Sequence, residues 1–177
     1  MIERILSFDT GHNIGWSAID LGNKNHTIRL VDYGCIKIPS NLSIEKFCTL
    51  TSYEIKFLTV PNINECRIEI PVFEQSKRGI IAAKTGDLLE IHASAITIYN
   101  EMSKRRSEDN FYSTKLLTPN QWKGTMSKKA TLKRVEMVFE KYEIRPLHPN
   151  FAKMPDHVVD SIGIGITHNP KMWSLTA

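Results

Sequence analysis

The chain opens on short apolar runs broken by turn residues. In Glu3-Arg4-Ile5-Leu6-Ser7-Phe8-Asp9 the apolar positions lead directly to an acidic residue and stop at Thr10-Gly11. A second run, Ile14 to Ile19, closes at Leu21-Gly22-Asn23. Glycine, asparagine and threonine at such breaks favour tight turns, so the pattern predicts two strands joined by a turn. Thr27 to Ile38, rich in Ile, Val, Leu and Tyr and ended by Pro39-Ser40, adds a third strand and completes an antiparallel meander.

Beyond Ser43 the period changes. Ile44, Phe47, Cys48, Ile55 and Leu58 recur at helical spacing as far as Pro61-Asn62. With Ser43 as N-cap this predicts a helix of roughly four turns. Cys66 to Ile70 reads as a fourth strand stopped by Pro71, and a strand reached through a crossover helix returns beside the first. From Gly86 to Met102 one face carries Leu88, Ile91, Ala95, Ile98 and Met102, while Leu89, Ala93 and Ile96 thicken it. A helix apolar over so wide an arc suits a subunit contact. Lys104 to Asn110 is predicted as a charged loop, Phe111 to Leu117 as a fifth strand, and Pro119 to Ser127 as a loop containing Gln121-Trp122-Lys123-Gly124. Lys128 to Tyr142 turns Leu132, Val135, Val138, Phe139 and Tyr142 inward, and a last helix runs from Pro155 to about His168, ahead of Pro170. The expected fold is a single α/β domain over residues 1–177, with a five-stranded mixed sheet, three antiparallel strands then parallel ones, flanked by helices.

Composition narrows the picture only slightly. A chain of 177 residues with 41% hydrophobic content can bury one core, and it holds no apolar run long enough to span a membrane. The N-terminus reads as a strand rather than a secretion signal. Cys35, Cys48 and Cys66 are odd in number and lack metal-ligand spacing, which fits a reducing, cytoplasmic setting. The net charge of +4 is mild; the clustering of the bases is more informative. Lys77, Arg78 and Lys84 follow one acidic strand end, and Lys123, Lys128, Lys129, Lys133 and Arg134 precede the last helix. Any one of these is more commonly a solvated charge, but clusters of this kind neutralise phosphates. Phe73 is a candidate platform for an unpaired base, or a core residue. Trp122 reads as a pin holding its loop to the sheet.

Three carboxylates stand out by position. Asp9 ends the first strand, Glu69 lies near the end of the fourth, and Asp160 sits in the last helix, with His157 and Asp156 three and four residues earlier on the same face. Singly, each is more often a turn former, a cap or a solvated group. Together they supply hard oxygen ligands beside an imidazole, a set suited to Mg²⁺ or Mn²⁺ and to phosphodiester hydrolysis. Glu74 is a rival to Glu69, and Asp156 to His157.

At these residues a resemblance becomes plain. Ile5-Leu6-Ser7-Phe8-Asp9-Thr10-Gly11 with Gly15-Trp16, then Ile68-Glu69, then His157-Val158-Val159-Asp160-Ser161-Ile162 through Ile166-Thr167-His168, resemble in order the motifs of RuvC-type Holliday junction resolvases, in a compact form like the bacteriophage variants. The resemblance implies a ribonuclease H-like fold and a homodimer acting on four-way or otherwise branched DNA in a bacterial or infected host cell. It implies a two-metal site holding Mg²⁺, with Mn²⁺ as substitute, formed by Asp9, Glu69, His157 and Asp160. Less selective flap or fork cleavage, or branched-DNA binding without catalysis, are the alternatives. Asp9-Thr10-Gly11 also resembles the phosphate-binding turn of actin-like domains, but a second glycine-rich loop and about twice the length would be needed.

Overall fold

Strict alternation along the first strand sorts its side chains onto two faces, and each face is covered by a different pair of helices. The computed structural model describes residues 2–22, 26–71, 85–109, 113–143 and 149–175. Strands β1 (Ile2–Asp9), β2 (Asn13–Gly22), β3 (Thr27–Lys37), β4 (Glu65–Glu69) and β5 (Ser113–Leu117) form one sheet in the order β3-β2-β1-β4-β5. β1 pairs antiparallel with β2, and β2 with β3; β1 pairs parallel with β4, and β4 with β5. This is the expected sheet.

Leu6, Phe8, Cys66 and Ile68 pack with Phe47 and Ile55 of α1 (Ile44–Phe57) and with Ala95, Ile98 and Met102 of α2 (Thr85–Asp109). Ile5, Ile19, Leu21 and Ile28 pack on the opposite face with Val135, Val138 and Phe139 of α4 (Lys128–Tyr142) and with Val158, Val159 and Ile162 of α5 (Asp156–Ile166). Full burial of each such side chain contributes about 1.5–3 kcal/mol. Ser43 caps α1 as its position in the sequence suggests, its hydroxyl accepting from the Lys46 N–H.

Helix α5 is buried from Val158 to Ile166 because the sheet beneath it is lined with small residues. A Cβ at Gly165 would stand 2.8 Å from both Ser7 Oγ and Ile19 Cδ1, and one at Gly15 only 2.0 Å from the His157 carbonyl oxygen. The close approach of the last helix to the first strands therefore belongs to Gly165 and Gly15. Gly163 faces elsewhere, since its Cβ would meet the Trp122 ring at 2.8 Å and Trp173 at 3.3 Å.

Two expected boundaries change. The charged segment from Lys104 is not a loop at its start: α2 continues to Asp109. Arg105 explains this, because its guanidinium donates to the carbonyls of Ile55, Lys56 and Leu58 and so caps the end of α1. Phe111, the expected start of the fifth strand, lies outside the described residues, and the strand is seen over Ser113–Leu117. The segment after it opens with a single helical turn, α3 (Pro119–Trp122), where Pro119 takes the first position and Gln121 accepts from the Thr118 N–H at 2.8 Å. A 3-10 turn (Phe151–Lys153) precedes α5 and a short α6 (Pro170–Ser174) follows it.

The face of β4 under α5 is polar. Arg67 donates to Glu65 at 2.5 Å and to Thr167 at 2.9 Å, and His168 bonds both Glu65 and Glu3. That network anchors the C-terminal end of α5. All three cysteines are free thiols, and no helix among the described residues is long and apolar enough to cross a membrane.

Candidate active site

Register places the first two carboxylates side by side. β1 and β4 run parallel with Ile5 opposite Glu65 and Phe8 opposite Ile68, so the next step brings Asp9 beside Glu69. Asp9 follows Ile5 and Ser7 in the alternation, and Glu69 follows Glu65 and Arg67, so both side chains emerge on the α5 face. The Thr10 hydroxyl donates to the Glu69 carbonyl at 2.9 Å, fastening the turn after β1 to the end of β4. Carboxyl ends of parallel strands are where open α/β sheets present their sites.

The first turn of α5 closes over this pair. His157 Nδ1 lies 2.7 Å from Asp9 Oδ2, and Asp160, one turn further on, is buried with 6% exposure. Two residues from the segment after β5 complete the group. The Trp122 indole N–H donates to Glu69 Oε2, and Lys123 Nζ lies 3.2 Å from Asp160 Oδ2 while also standing 4.6 Å from the centre of the Trp122 ring. Asp156 instead points to solvent and pairs with exposed Lys128 at 3.4 Å.

Burial and mutual repulsion load the carboxylates. Burial raises the pKa of Asp9, the charge of Asp160 adds to it, and the bond from His157 opposes both. Glu69 is pushed up to about 7, by burial first and by Asp9 and Asp160 after it, against the pull of Lys123 and Trp122. His157 is raised by its bond to Asp9. Crowded, desolvated carboxylates of this kind need a compensating cation. Among the described residues no three His, Cys, Asp or Glu side chains already surround a point where an ion could sit. Each carboxylate turns instead to a donor within the chain: Asp9 to His157, Glu69 to Trp122, Asp160 to Lys123.

Of the residues singled out in the sequence, Asp9, Glu69, His157, Asp160 and Lys123 come together here. Lys128, Lys129 and Lys133 lie exposed along α4, and of these Lys128 reaches Asp156 on the first turn of α5. Phe73, Glu74, Lys77, Arg78 and Lys84 fall outside the described residues. Trp122 is 2% exposed and packs against Trp173 with ring centres 6.1 Å apart, so it does pin its segment. Its bond to Glu69 was not foreseen, although a buried indole N–H requires an acceptor. Replacing Trp122 by Phe keeps most of the ring but removes this donor. The pH at which Glu69 ionises should rise, and the acidic limb of any Glu69-dependent activity should move to higher pH.

No protein-family model matches the chain, and no curated protein matches it by sequence. Comparison of folds is informative where sequence is silent. RuvC of Thermus thermophilus superposes with a TM-score of 0.61 at 14% identity, over 98% of either chain. The chain has the RuvC fold. The structure of T. thermophilus RuvC in complex with Holliday junction substrate matches with a TM-score of 0.60 at 12% identity, over 98% of this chain and 96% of that one. The fowlpox virus Holliday junction resolvase gives 0.51 at 18% identity, over 98% and 99%. The RuvC fold is ribonuclease H-like, and its five-stranded sheet, in the order β3-β2-β1-β4-β5, is the one found in this chain.

Proposed function

We propose that the protein is a structure-selective endodeoxyribonuclease that resolves Holliday junctions or related branched DNA by divalent-metal-dependent hydrolysis. The observation that carries this reading is the meeting of Asp9, Glu69, His157 and Asp160 at the carboxyl ends of β1 and β4 under the first turn of α5. The RuvC fold supports it, since two solved structures of that fold are of Holliday junction resolvases from different sources.

The residues present fit Mg²⁺, or Mn²⁺ in its place. Hard carboxylate oxygens suit such ions, and the raised pKa values of Asp9 and Glu69 mark an excess of buried negative charge that a divalent cation relieves. Asp9, Glu69, Asp160 and His157 would hold it; when bound, it supplies activation of water and charge compensation at the leaving oxygen. His157 is kept in place by Asp9. Lys128, Lys129 and Lys133, exposed along α4, grip flanking phosphates and set the register of the backbone over the carboxylates. A homodimer would place two such groups against two strands of a junction. Leu89 and Ile96 of α2, 56% and 52% exposed, offer the apolar face for that contact.

A synthetic mobile four-way junction incubated with Mg²⁺ should receive symmetrical paired nicks. Asp160→Asn should lower the cutting rate by about a hundredfold or more while leaving junction binding in place. Equal cutting of four-way, three-way and flap substrates would favour a less selective fork nuclease. Junction binding without any Mg²⁺-dependent cutting by the wild type would leave only a binding protein.

A further inference from the structure

This inference rests on the divalent-cation site proposed above and concerns what stands in that site without the ion. Lys123 has a side chain only 20% exposed, which is unusual for a lysine. Its ammonium contacts Asp160 at 3.2 Å and lies over the ring of Trp122, whose N–H is bonded to Glu69. Its charge also favours the ionised forms of Asp9 and Glu69. One ammonium thus serves all three carboxylates.

The backbone carrying it is held, with the Lys123 and Gly124 N–H groups donating to the Pro119 carbonyl and the Met126 N–H to the Lys123 carbonyl, so that only the side chain has room to move. Trp122 is buried, whereas Gly124 adopts a left-handed φ of +58°, is exposed, and has nothing within 4 Å of where a Cβ would lie. A lysine ammonium is a compact charge on a flexible stem, so it can exchange one anionic partner for another without the tryptophan moving.

We propose that Lys123 is a built-in placeholder for the divalent cation: its ammonium neutralises the carboxylates of the metal-free protein, leaves Asp160 when the cation enters, and then binds a phosphate of the DNA. The same ammonium cannot serve Asp160 and a phosphate at once. Entry of the cation therefore releases a phosphate ligand, and DNA that captures the lysine vacates Asp160 for the cation. Each ligand strengthens the other by the same factor, as linkage requires. The device keeps the acidic group folded and quiet until both are present.

The test is Mn²⁺ affinity in the absence of DNA, read from the electron paramagnetic resonance signal of the free ion. Lys123→Gln should bind Mn²⁺ about tenfold more tightly than the wild type, within the usual range of coupling between sites. Lys123→Met, which keeps the stem over Trp122 and removes the charge, should do the same. Lys123→Arg, which keeps the charge, should stay within about twofold of the wild type. Neutral variants that bind Mn²⁺ no more tightly than the wild type overturn the placeholder role. Asp160→Asn separates this from the underlying reading. If it binds Mn²⁺ as the wild type does, the cation site itself is wrong. If it loses Mn²⁺ while the neutral Lys123 variants match the wild type, only the placeholder is wrong.

Discussion

Glu69→Gln is expected to melt about 6–12 °C above the wild type at pH 8 in chelator, and to cut no DNA. Glu69 is held at about 7 against an ordinary value of 4.5, by burial and then by the charge of Asp9. A raised carboxyl pKa means the folded state holds the proton more tightly than the unfolded one. Its contribution therefore favours folding at low pH, fades as pH rises from 4.5 towards 7, and is wholly a penalty above that. The penalty is roughly 3 kcal/mol, and each kcal/mol moves the melting temperature of a chain this size by about 2–4 °C. Glutamine removes the charge and keeps an oxygen for the Trp122 N–H. The gain should vanish below pH 4.5, where both forms are neutral. Saturating Mg²⁺ should raise the melting temperature of the wild type much more than that of the variant, because ligands that bind only the folded state stabilise it. A variant that melts below the wild type at pH 8 in chelator would show that Glu69 is not under electrostatic load.

That trade between stability and chemistry accounts for what could and could not be read from the sequence. The period-two alternation of Ile5, Ser7 and Asp9, together with the small residues Gly15 and Ser17 on the neighbouring strand, is local information and survives into the fold. So does the three-residue spacing of His157 and Asp160 on one helix face. The donors that hold the carboxylates were not legible, because they depend on long-range pairing. Trp122 is 53 residues from Glu69, and Lys123 is 37 from Asp160. From its surroundings in sequence, Lys123 is one base among several facing solvent; tertiary packing turns it onto a carboxylate. The same applies to Arg105, whose charged neighbours suggest a loop, whereas its partners are carbonyls 47 to 50 residues earlier. Gly163 and Gly165 announce close packing, but hydrophobic pattern does not say that one meets an indole and the other a serine and an isoleucine.

Among the described glycines, Gly15→Ala should do the greatest damage. Gly15 lies opposite Asp9 in the β1–β2 register. Its added Cβ would stand 2.0 Å from the His157 carbonyl oxygen, 2.2 Å from the His157 carbonyl carbon and 2.7 Å from the Val158 nitrogen. All three are backbone atoms in the first turn of a buried helix, so no rotamer change relieves the clash. Either β2 bows outward or the N-terminal end of α5 lifts by about 1 Å. Overpacking costs about 1–3 kcal/mol and sometimes more, which lowers the melting temperature by roughly 2–12 °C. The larger effect is on the site, because His157 and Asp160 ride on that turn while Asp9 and Glu69 stay with the sheet. Misplacement by about 1 Å can cost a hundredfold in rate. Gly165→Ala is the control, since its Cβ meets only the side-chain atoms of Ser7 and Ile19, at 2.8 Å, beyond the far turn of the same helix. There the buried side chains of Ser7 and Ile19 must give way, at a cost in stability that up to about 1 kcal/mol of alanine helix propensity partly offsets. The strain falls away from the carboxylates. Gly165→Ala should cut within about threefold of the wild type, while Gly15→Ala should be nearly inactive at temperatures where both are folded. Equal rates for the two variants would mean that the seating of the first turn of α5 on β2 does not set the geometry of the site.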